Sequence, residues 1–236
     1  MIPAPTPYGT VIPGTIGILT YHGESCDELN DWLDLMVRQY PQIYLPRRLK
    51  GTQIAAQRNV LAREFRGEWL LYVDADNIPS LDTLPRLLAH QVPIVGGVIL
   101  ERTPPFRICA VKALEPTVRF TLAELPGEGL VPTVAVGTGC LLIHRRVFET
   151  MAYPWFRVGK LDPEFLSEDF EFGMRANEVG FQSWLDAGVR VGHKSYGILY
   201  PGKDKQVWVR WPGSADIREP ITERATEFSQ DEVHEP

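Results

Sequence analysis

Two aspartates near the middle of the chain have a type and spacing that suit metal-assisted phosphate chemistry. Asp74 and Asp76 are separated by Ala75 and directly follow the apolar run 69–73, WLLYV. Such a run is typical of a strand buried on both faces, and open parallel sheets bind ligands at the carboxyl ends of their strands. Two carboxylates there can hold a hard divalent cation, with a diphosphate as the counter-ligand, although aspartates are also common in turns. We therefore predict a metal and diphosphate site at residues 74–76.

A second acidic group lies in residues 167–172, SEDFEF, at the start of a predicted helix. The helix dipole accounts well for one acid in a first turn, but this turn holds several. Glu168 and Asp169 point about 100° apart on this helix, whereas Glu168 and Glu171 lie on nearly the same face. Only one of these faces can point into a cleft as a general base. Phe172, three residues after Asp169, favours the Asp169 face.

A histidine follows a late predicted strand, in the pair Gly192-His193. A lone histidine is more often structural than a ligand. Imidazole nevertheless suits first-row ions such as Mn²⁺. His193 is therefore a candidate third metal ligand beside Asp74 and Asp76.

Strands and helices alternate in the first hundred residues. The patterns predict strands at 15–20, 42–45, 69–73 and 93–100 and helices at 25–40, 54–65 and 80–88, with Ser25 opening a capping box. This alternation predicts a mostly parallel sheet in a Rossmann-like half.

The regular alternation of predicted strands and helices ends near residue 100. Strands are predicted at 107–113, 118–122, 133–144, 181–186 and 190–192, with helices at 146–151 and 168–179, the second capped by Ser167 and ended by Gly180. We interpret this as a mixed-sheet half. The whole is predicted to be one α/β domain, 10–213, with halves at about 10–100 and 101–213. The acidic tail 214–236 is predicted to be flexible.

Composition restricts the function classes. The net charge of −6 argues against a broad nucleic-acid surface. The three cysteines, Cys26, Cys109 and Cys140, lack the paired spacing of a zinc site or disulfide framework, which favours a reducing compartment. Neither a signal peptide nor an apolar run long enough to span a membrane is recognised. We expect a cytoplasmic protein.

Taken in order, WLLYVDAD, GTGCLLIHRRVFE, SEDFEF and GH resemble the motifs of GT-A glycosyltransferases, especially those of the family-two type, over about residues 15–196. Gln57-Arg58-Asn59 resembles that family's stretch in the helix before the metal-binding strand. The resemblance implies a GT-A-like fold, an inverting transfer from a UDP- or GDP-linked donor, and Mn²⁺ or Mg²⁺ as cofactor. The acceptor, whether glycan, protein or small molecule, is not indicated.

The resemblance also implies individual roles. It assigns donor binding to Thr20, Tyr21, Arg58 and residues 74–76, including Ala75. It assigns metal binding to Asp74, Asp76 and His193, and the general base to Asp169. The chain departs from the family after its first strand, where only Thr20 and Tyr21 match, and at Leu45-Pro46-Arg47-Arg48, where many members carry acids that help read the nucleotide.

Two alternative functions stay open. A nucleotidyltransferase shares a similar nucleotide lobe but is expected to carry a basic, glycine-rich loop after the first strand, where this chain has YHGES at 21–25. The second alternative is a non-catalytic nucleotide- or glycan-binding module. The presence of Asp74, Asp76, Asp169 and His193 together argues against it. Weaker site candidates are Gly137, Gly139, Trp155, Phe156, and Lys194, Tyr196, Tyr200, Lys203 and Lys205 in a predicted loop.

Overall fold

The computed structural model describes residues 7–20, 24–46, 49–51, 53–114, 117–160, 165–195, 197–210 and 219–220. Its α-helices are α1 (Asp27–Gln39), α2 (Ile54–Glu64), α3 (Thr83–Ala89), α4 (Arg145–Thr150) and α5 (Glu168–Glu178). Its strands are β1 (Gly14–Thr20), β2 (Ile43–Tyr44), β3 (Leu49–Lys50), β4 (Trp69–Asp74), β5 (Asn77–Ile78), β6 (Ile94–Val98), β7 (Ala110–Leu114), β8 (Thr117–Arg119), β9 (Leu130–Thr133), β10 (Ala135–Val136), β11 (Cys140–His144), β12 (Gly159–Lys160), β13 (Phe165–Leu166), β14 (Ser183–Arg190), β15 (Gly192–Lys194), β16 (Ile198–Pro201), β17 (Val207–Arg210) and β18 (Glu219–Pro220).

The largest sheet has the strand order β2-β1-β4-β11-β6-β14-β9, and β3 also pairs with β1. The pairs of β1 with β2, β3 and β4, and of β6 with β14, are parallel. β11 is antiparallel to its neighbours β4 and β6, and β9 is antiparallel to β14. The mostly parallel central sheet is thus confirmed. The second half of the chain, predicted as a mixed-sheet half, forms antiparallel sheets and also gives β9, β11 and β14 to the central sheet.

The sheet is covered by helices on both faces, which explains why β4 is apolar along its length. Leu70 and Tyr72 belong to a buried cluster shared with α2, α4 and α5. Trp69, Leu71 and Val73 point the other way, into a cluster shared with α1 and α3. Successive side chains of a strand alternate between faces, so a strand between two helical layers needs apolar residues at every position.

Two helices begin later than their sequence patterns predict. α1 begins at Asp27, and the hydroxyl of Ser25 donates to Asn30 Oδ1 at 2.6 Å instead of capping the helix. α3 begins at Thr83, and the predicted opening residue, Ser80, makes side-chain hydrogen bonds in the preceding turn. In both cases a competing local hydrogen bond occupies the polar side chain.

α5 has the predicted ends. Ser167 stands at the N-cap position, but its hydroxyl donates to Asp169 Oδ1 and makes no capping hydrogen bond to the helix backbone. Gly180 follows the helix with a φ of 90°. The amide of Phe181 donates to Ala176 O at 2.8 Å and that of Gly180 to Asn177 O at 3.0 Å. This pair of bonds is a Schellman motif, which requires the left-handed conformation that glycine adopts at low cost.

A smaller antiparallel sheet, β18-β17-β16-β15-β5, joins the segment after the two aspartates to the late strands. β5 pairs with β15, so that Asn77 lies opposite His193. The segment predicted as a loop after His193 is the β15–β16 hairpin followed by a turn; Tyr196 lies outside the described residues.

The tail predicted to be flexible lies mostly outside the described residues. Two of its residues, Glu219–Pro220, pair with β17. Among the described helices, none combines the length and apolar character that crossing a bilayer requires.

Candidate functional site

Strands of the central sheet that run in one direction bring the predicted site residues to one edge. Thr20 ends β1 and Asp74 ends β4, and these strands are neighbours, with Leu19 opposite Asp74. The chain after β6 leads to Arg102, and the chain after β14 leads to His193. Carboxyl ends of parallel strands share an edge, so these residues lie where open parallel sheets bind ligands, and their role in a ligand site stays a prediction. Tyr21, a predicted donor contact, lies outside the described residues.

Backbone hydrogen bonds fix the turn that carries the two aspartates. The amide of Asp74 donates to Gly139 O at 3.1 Å, and the amide of Ala75 donates to Leu19 O at 3.2 Å. On the far side, the amide of Lys194 donates to the carbonyl oxygen of Asp76 at 2.8 Å. The turn is therefore attached to β1, to the segment before β11 and to β15.

The Arg58 side chain is 4% exposed and contacts two acids. Its Nη2 lies 3.5 Å from Asp74 Oδ1, and its Nη1 contacts the Glu168 carboxylate. The Tyr72 hydroxyl donates to the Arg58 carbonyl oxygen at 2.8 Å and so anchors this turn of α2 to β4. Arg58 thus joins the end of β4 to the start of α5.

Asp76 and His193 share a second cation. The guanidinium of Arg102 contacts Asp76 Oδ2 through Nη2, and its Nε donates to His193 Nε2 at 3.0 Å. His193 Nδ1 lies 2.6 Å from the carbonyl oxygen of Leu100, which can only accept, so Nδ1 carries the proton. The lone pair of Nε2 accepts the hydrogen bond from Arg102 Nε, and Asp76 Oδ2 lies 3.9 Å from Nε2.

The surroundings of His193 lower the pKa of its ring and so favour the neutral form. Burial is the largest cause that lowers its pKa, and the positive charge of Arg102 lowers it further. The hydrogen bond to Leu100 and the charge of Asp74 act in the opposite direction. A neutral imidazole with Nδ1 bound to a carbonyl is the form in which histidine ligates metals through Nε2.

Asp76 and His193 fit a divalent cation as a pair of ligands. The Arg102 guanidinium already contacts Asp76 Oδ2 and His193 Nε2, so these two atoms accept a positively charged partner. Mg²⁺-type sites often use one or two protein ligands and complete the shell with phosphates and water. Within the described part of the chain, no three His, Cys, Asp or Glu side chains are close enough to hold an ion by themselves. Asp74, the third predicted ligand, faces Arg58.

The three acids in the first turn of α5, Glu168, Asp169 and Glu171, have different environments. Glu168 contacts Arg58, as described. Glu171 is 6% exposed and accepts from Arg157 Nε at 2.6 Å, with Arg175 Nη1 3.5 Å from its other oxygen. Glu168 and Glu171 thus form ion pairs with arginines, whereas Asp169 accepts hydrogen bonds from a hydroxyl and a backbone amide.

Asp169 is held by α5 through one of its oxygens. Oδ1 accepts from the Ser167 hydroxyl and, at 2.8 Å, from the Phe170 amide. Oδ2 lies 3.5 Å from the position that a Cβ on Gly137 would take. Burial raises the pKa of the neighbouring Cys109 thiol to about 12, and the charge of Asp169 contributes. A neutral thiol and a glycine therefore border the Asp169 carboxylate.

Gly137 and Gly139 lie beside two of the carboxylates. A Cβ on Gly139 would come within 2.4 Å of Asn77 Nδ2 and 3.4 Å of Asp74 Oδ2. Asn77 Nδ2 donates to the Gly139 carbonyl oxygen at 3.1 Å. The segment 137–139 therefore lies close to both Asp74 and Asp169, and close approach explains the absence of a side chain at its ends.

The two residues that flank Arg58, Gln57 and Asn59, hold α2 to neighbouring segments by hydrogen bonds to backbone groups. Gln57 Nε2 donates to the Gly51 carbonyl oxygen at 2.7 Å, and Asn59 Oδ1 accepts from the amides of Trp155 and Phe156. Phe156 is 1% exposed, so core packing, rather than stacking on a sugar, accounts for it.

The sequence patterns predict neither Arg102 as a site residue nor the ion pair of Glu168 with Arg58. Arg102 belongs to no motif, in the stretch ERTPP. Its position after β6 is the signal that could have found it, because every strand of this direction ends at the same edge. The partner of Glu168 is separated from it by more than a hundred residues, which no local pattern reveals.

No protein-family model matches the chain, and no curated protein matches it. A crystal structure described as A197 from STIV has a TM-score of 0.58 and 15% identity, over 87% of this chain and 98% of that one. The crystal structure of GalNAc-T7 with UDP, GalNAc and Mn²⁺ has a TM-score of 0.50 and 14% identity, over 78% of this chain. The match spans 43% of that longer chain. These likenesses confirm the predicted GT-A-like α/β fold class, and at such identities they concern the fold alone.

Proposed function

We propose that the chain is a metal-dependent glycosyltransferase that moves a sugar from a nucleotide-sugar donor to an acceptor hydroxyl. The observation that carries this proposal is the convergence of Asp76 Oδ2 and His193 Nε2 on one cation position at the ligand-binding edge of the sheet. Asp169 lies at the same end of the molecule, across the segment 137–139.

Asp76 and His193 would hold Mn²⁺ or Mg²⁺, which supplies positive charge against the diphosphate leaving group. The structural neighbour GalNAc-T7 was crystallised with UDP and Mn²⁺, which supports this choice of ligands. Thr20, Tyr21, Arg58, Asp74 and Ala75 complete the proposed donor site, with Asp74 directed to the ribose or the metal's surroundings. The proposed donor is UDP- or GDP-linked.

Asp169 is the proposed general base. It would take the proton of the acceptor hydroxyl while that oxygen forms its bond to the anomeric carbon and the nucleoside diphosphate leaves with the electrons of the broken bond. A direct displacement of this kind inverts the anomeric carbon. The ion pairs of Glu168 and Glu171 favour Asp169 over both for this role.

The proposal predicts that the protein releases free UDP or GDP from a nucleotide sugar only with Mn²⁺ or Mg²⁺ present. His193→Ala should raise the Mn²⁺ concentration for half-maximal release by about tenfold or more, because even the outer-shell partners of metal ligands carry effects of that size. Coupled detection of released UDP and GDP during a Mn²⁺ titration measures this.

His144→Ala is the matched control, since His144 lies opposite Trp69 at the start of β4 and so at the other edge of the sheet. Its Mn²⁺ requirement should equal that of the wild type. An unchanged requirement in His193→Ala would remove His193 from the metal site. Pyrophosphate formation would indicate a nucleotidyltransferase, and donor binding without turnover would indicate a binding module.

A further inference from the structure

Arg102 occupies the position that the proposed function gives to a divalent ion. Its Nη2 contacts Asp76 Oδ2, and its Nε donates to His193 Nε2 at 3.0 Å. One guanidinium therefore satisfies both proposed metal ligands at once. An ion and this side chain cannot share the space.

The segment that carries Arg102 is anchored at its base and open at its tip. The amide of Glu101 donates to Arg107 O at 2.8 Å, and Leu100 bridges to Ile108. Residues 102–105 are exposed between these anchors. The Arg102 side chain can therefore change direction without disturbing the core beneath it.

The contact of Arg102 with Asp76 is weak enough to be exchanged. The Arg102 side chain is 50% exposed and that of Asp76 is 33% exposed. Ion pairs in such contact with water add little stability, because water screens the charges and long side chains lose freedom on pairing. A divalent ion carries twice the positive charge of a guanidinium into the same place.

We infer that Arg102 is an exchangeable cation of the donor site: it neutralises Asp76 and donates to His193 Nε2 when no metal is bound, and binds the donor diphosphate after a metal ion takes its place. This inference rests on the proposed function and adds a residue to it. Once displaced, the guanidinium remains tethered beside the site, and its planar set of donors matches two phosphate oxygens at a time. The exchange also avoids leaving the carboxylate without a counter-charge.

The first test is Mn²⁺ binding without nucleotide, followed by the electron paramagnetic resonance signal of free Mn²⁺. Arg102→Gln should bind Mn²⁺ about two- to fivefold more tightly than the wild type, because the competing cation is gone. Arg107→Gln removes the same charge at the other end of the loop and is the matched control. It should leave Mn²⁺ affinity unchanged.

The second test is the affinity for UDP and for GDP at saturating Mn²⁺, measured by calorimetry. Arg102→Gln should raise the dissociation constant of the nucleotide that the wild type binds by about tenfold or more, which is the effect of losing a charged hydrogen bond to phosphate. Arg102→Lys keeps the charge without the planar fork, so its loss should be smaller.

The two tests separate this inference from the function on which it rests. If the wild type shows Mn²⁺-dependent nucleotide binding and Arg102→Gln matches it in both measurements, the inference is wrong and the proposed function stands. Tighter Mn²⁺ binding with unchanged nucleotide affinity would contradict the transfer of Arg102 to the diphosphate. A wild type that binds neither Mn²⁺ nor nucleotide would overturn both.

Discussion

Asp169→Asn should lower the rate of donor cleavage by about 10²- to 10⁴-fold, the usual contribution of a general base. The substitution keeps the side-chain shape and an oxygen that can accept from the Phe170 amide, which Asp169 Oδ1 does at 2.8 Å. It removes the ability to take a proton. Because water can replace the acceptor, the rate can be measured as release of free sugar from the donor in a single-turnover experiment.

Donor and Mn²⁺ affinities should be unchanged in Asp169→Asn, since its carboxylate lies across the segment 137–139 from the proposed metal ligands. Glu171→Gln is the comparison on the same helix. Its carboxylate pairs with Arg157 and Arg175, so its effect should fall on stability rather than on rate. A normal rate for Asp169→Asn together with a large loss in Glu168→Gln or Glu171→Gln would show that the base is misassigned.

Arg58→Met should lower the free energy of unfolding by about 3 kcal/mol, because removing one partner of a buried ion pair leaves an uncompensated charge. Here one buried guanidinium serves two carboxylates, those of Asp74 and Glu168. Methionine retains much of the apolar stem, so the loss reports mainly on charge. Denaturant unfolding of the protein without donor or metal measures it.

Arg63→Met is the matched control on the same helix. Arg63 is exposed and lies 5.9 Å from the Tyr153 ring centre, so its loss should cost less than about 1 kcal/mol. Adding Glu168→Gln to Arg58→Met should recover part of the lost stability, since one unpaired charge is removed. Equal stabilities of Arg58→Met and Arg63→Met would show that the buried arginine does not hold the two acids together.

The sequence predicts the edge of the sheet on which the site lies because that information is local. WLLYV is apolar at every position, as a strand between two helical layers must be, and Asp74 and Asp76 follow it directly. The same reasoning places His193 after a late strand. Register and burial then bring Asp76 Oδ2 to 3.9 Å from His193 Nε2, whereas Asp74, the other predicted metal ligand, faces Arg58; metal binding by these residues stays a prediction.

The sequence does not predict which strands become neighbours. β11 lies between β4 and β6 and is antiparallel to both, although it belongs to the second half of the chain. Residues 140–143 of β11 are apolar on both faces, like the residues of its neighbours, so the burial pattern alone does not show which strands it pairs with. Long-range charge contacts are hidden for a similar reason: nothing near Arg102 in the sequence indicates that Asp76 and His193 are its partners.

If Asp76 and His193 form a metal-dependent nucleotide site, calorimetric titration of the wild type with UDP and GDP should detect it. We predict that at least one of these nucleotides binds in Mn²⁺ and that binding is lost in EDTA, because the carboxylates of Asp74 and Asp76 would otherwise face the diphosphate at the same edge. Asp76→Ala should abolish the Mn²⁺-dependent part while the protein stays folded. Equal affinity in EDTA and in Mn²⁺, or no binding of either nucleotide in Mn²⁺, would contradict the account.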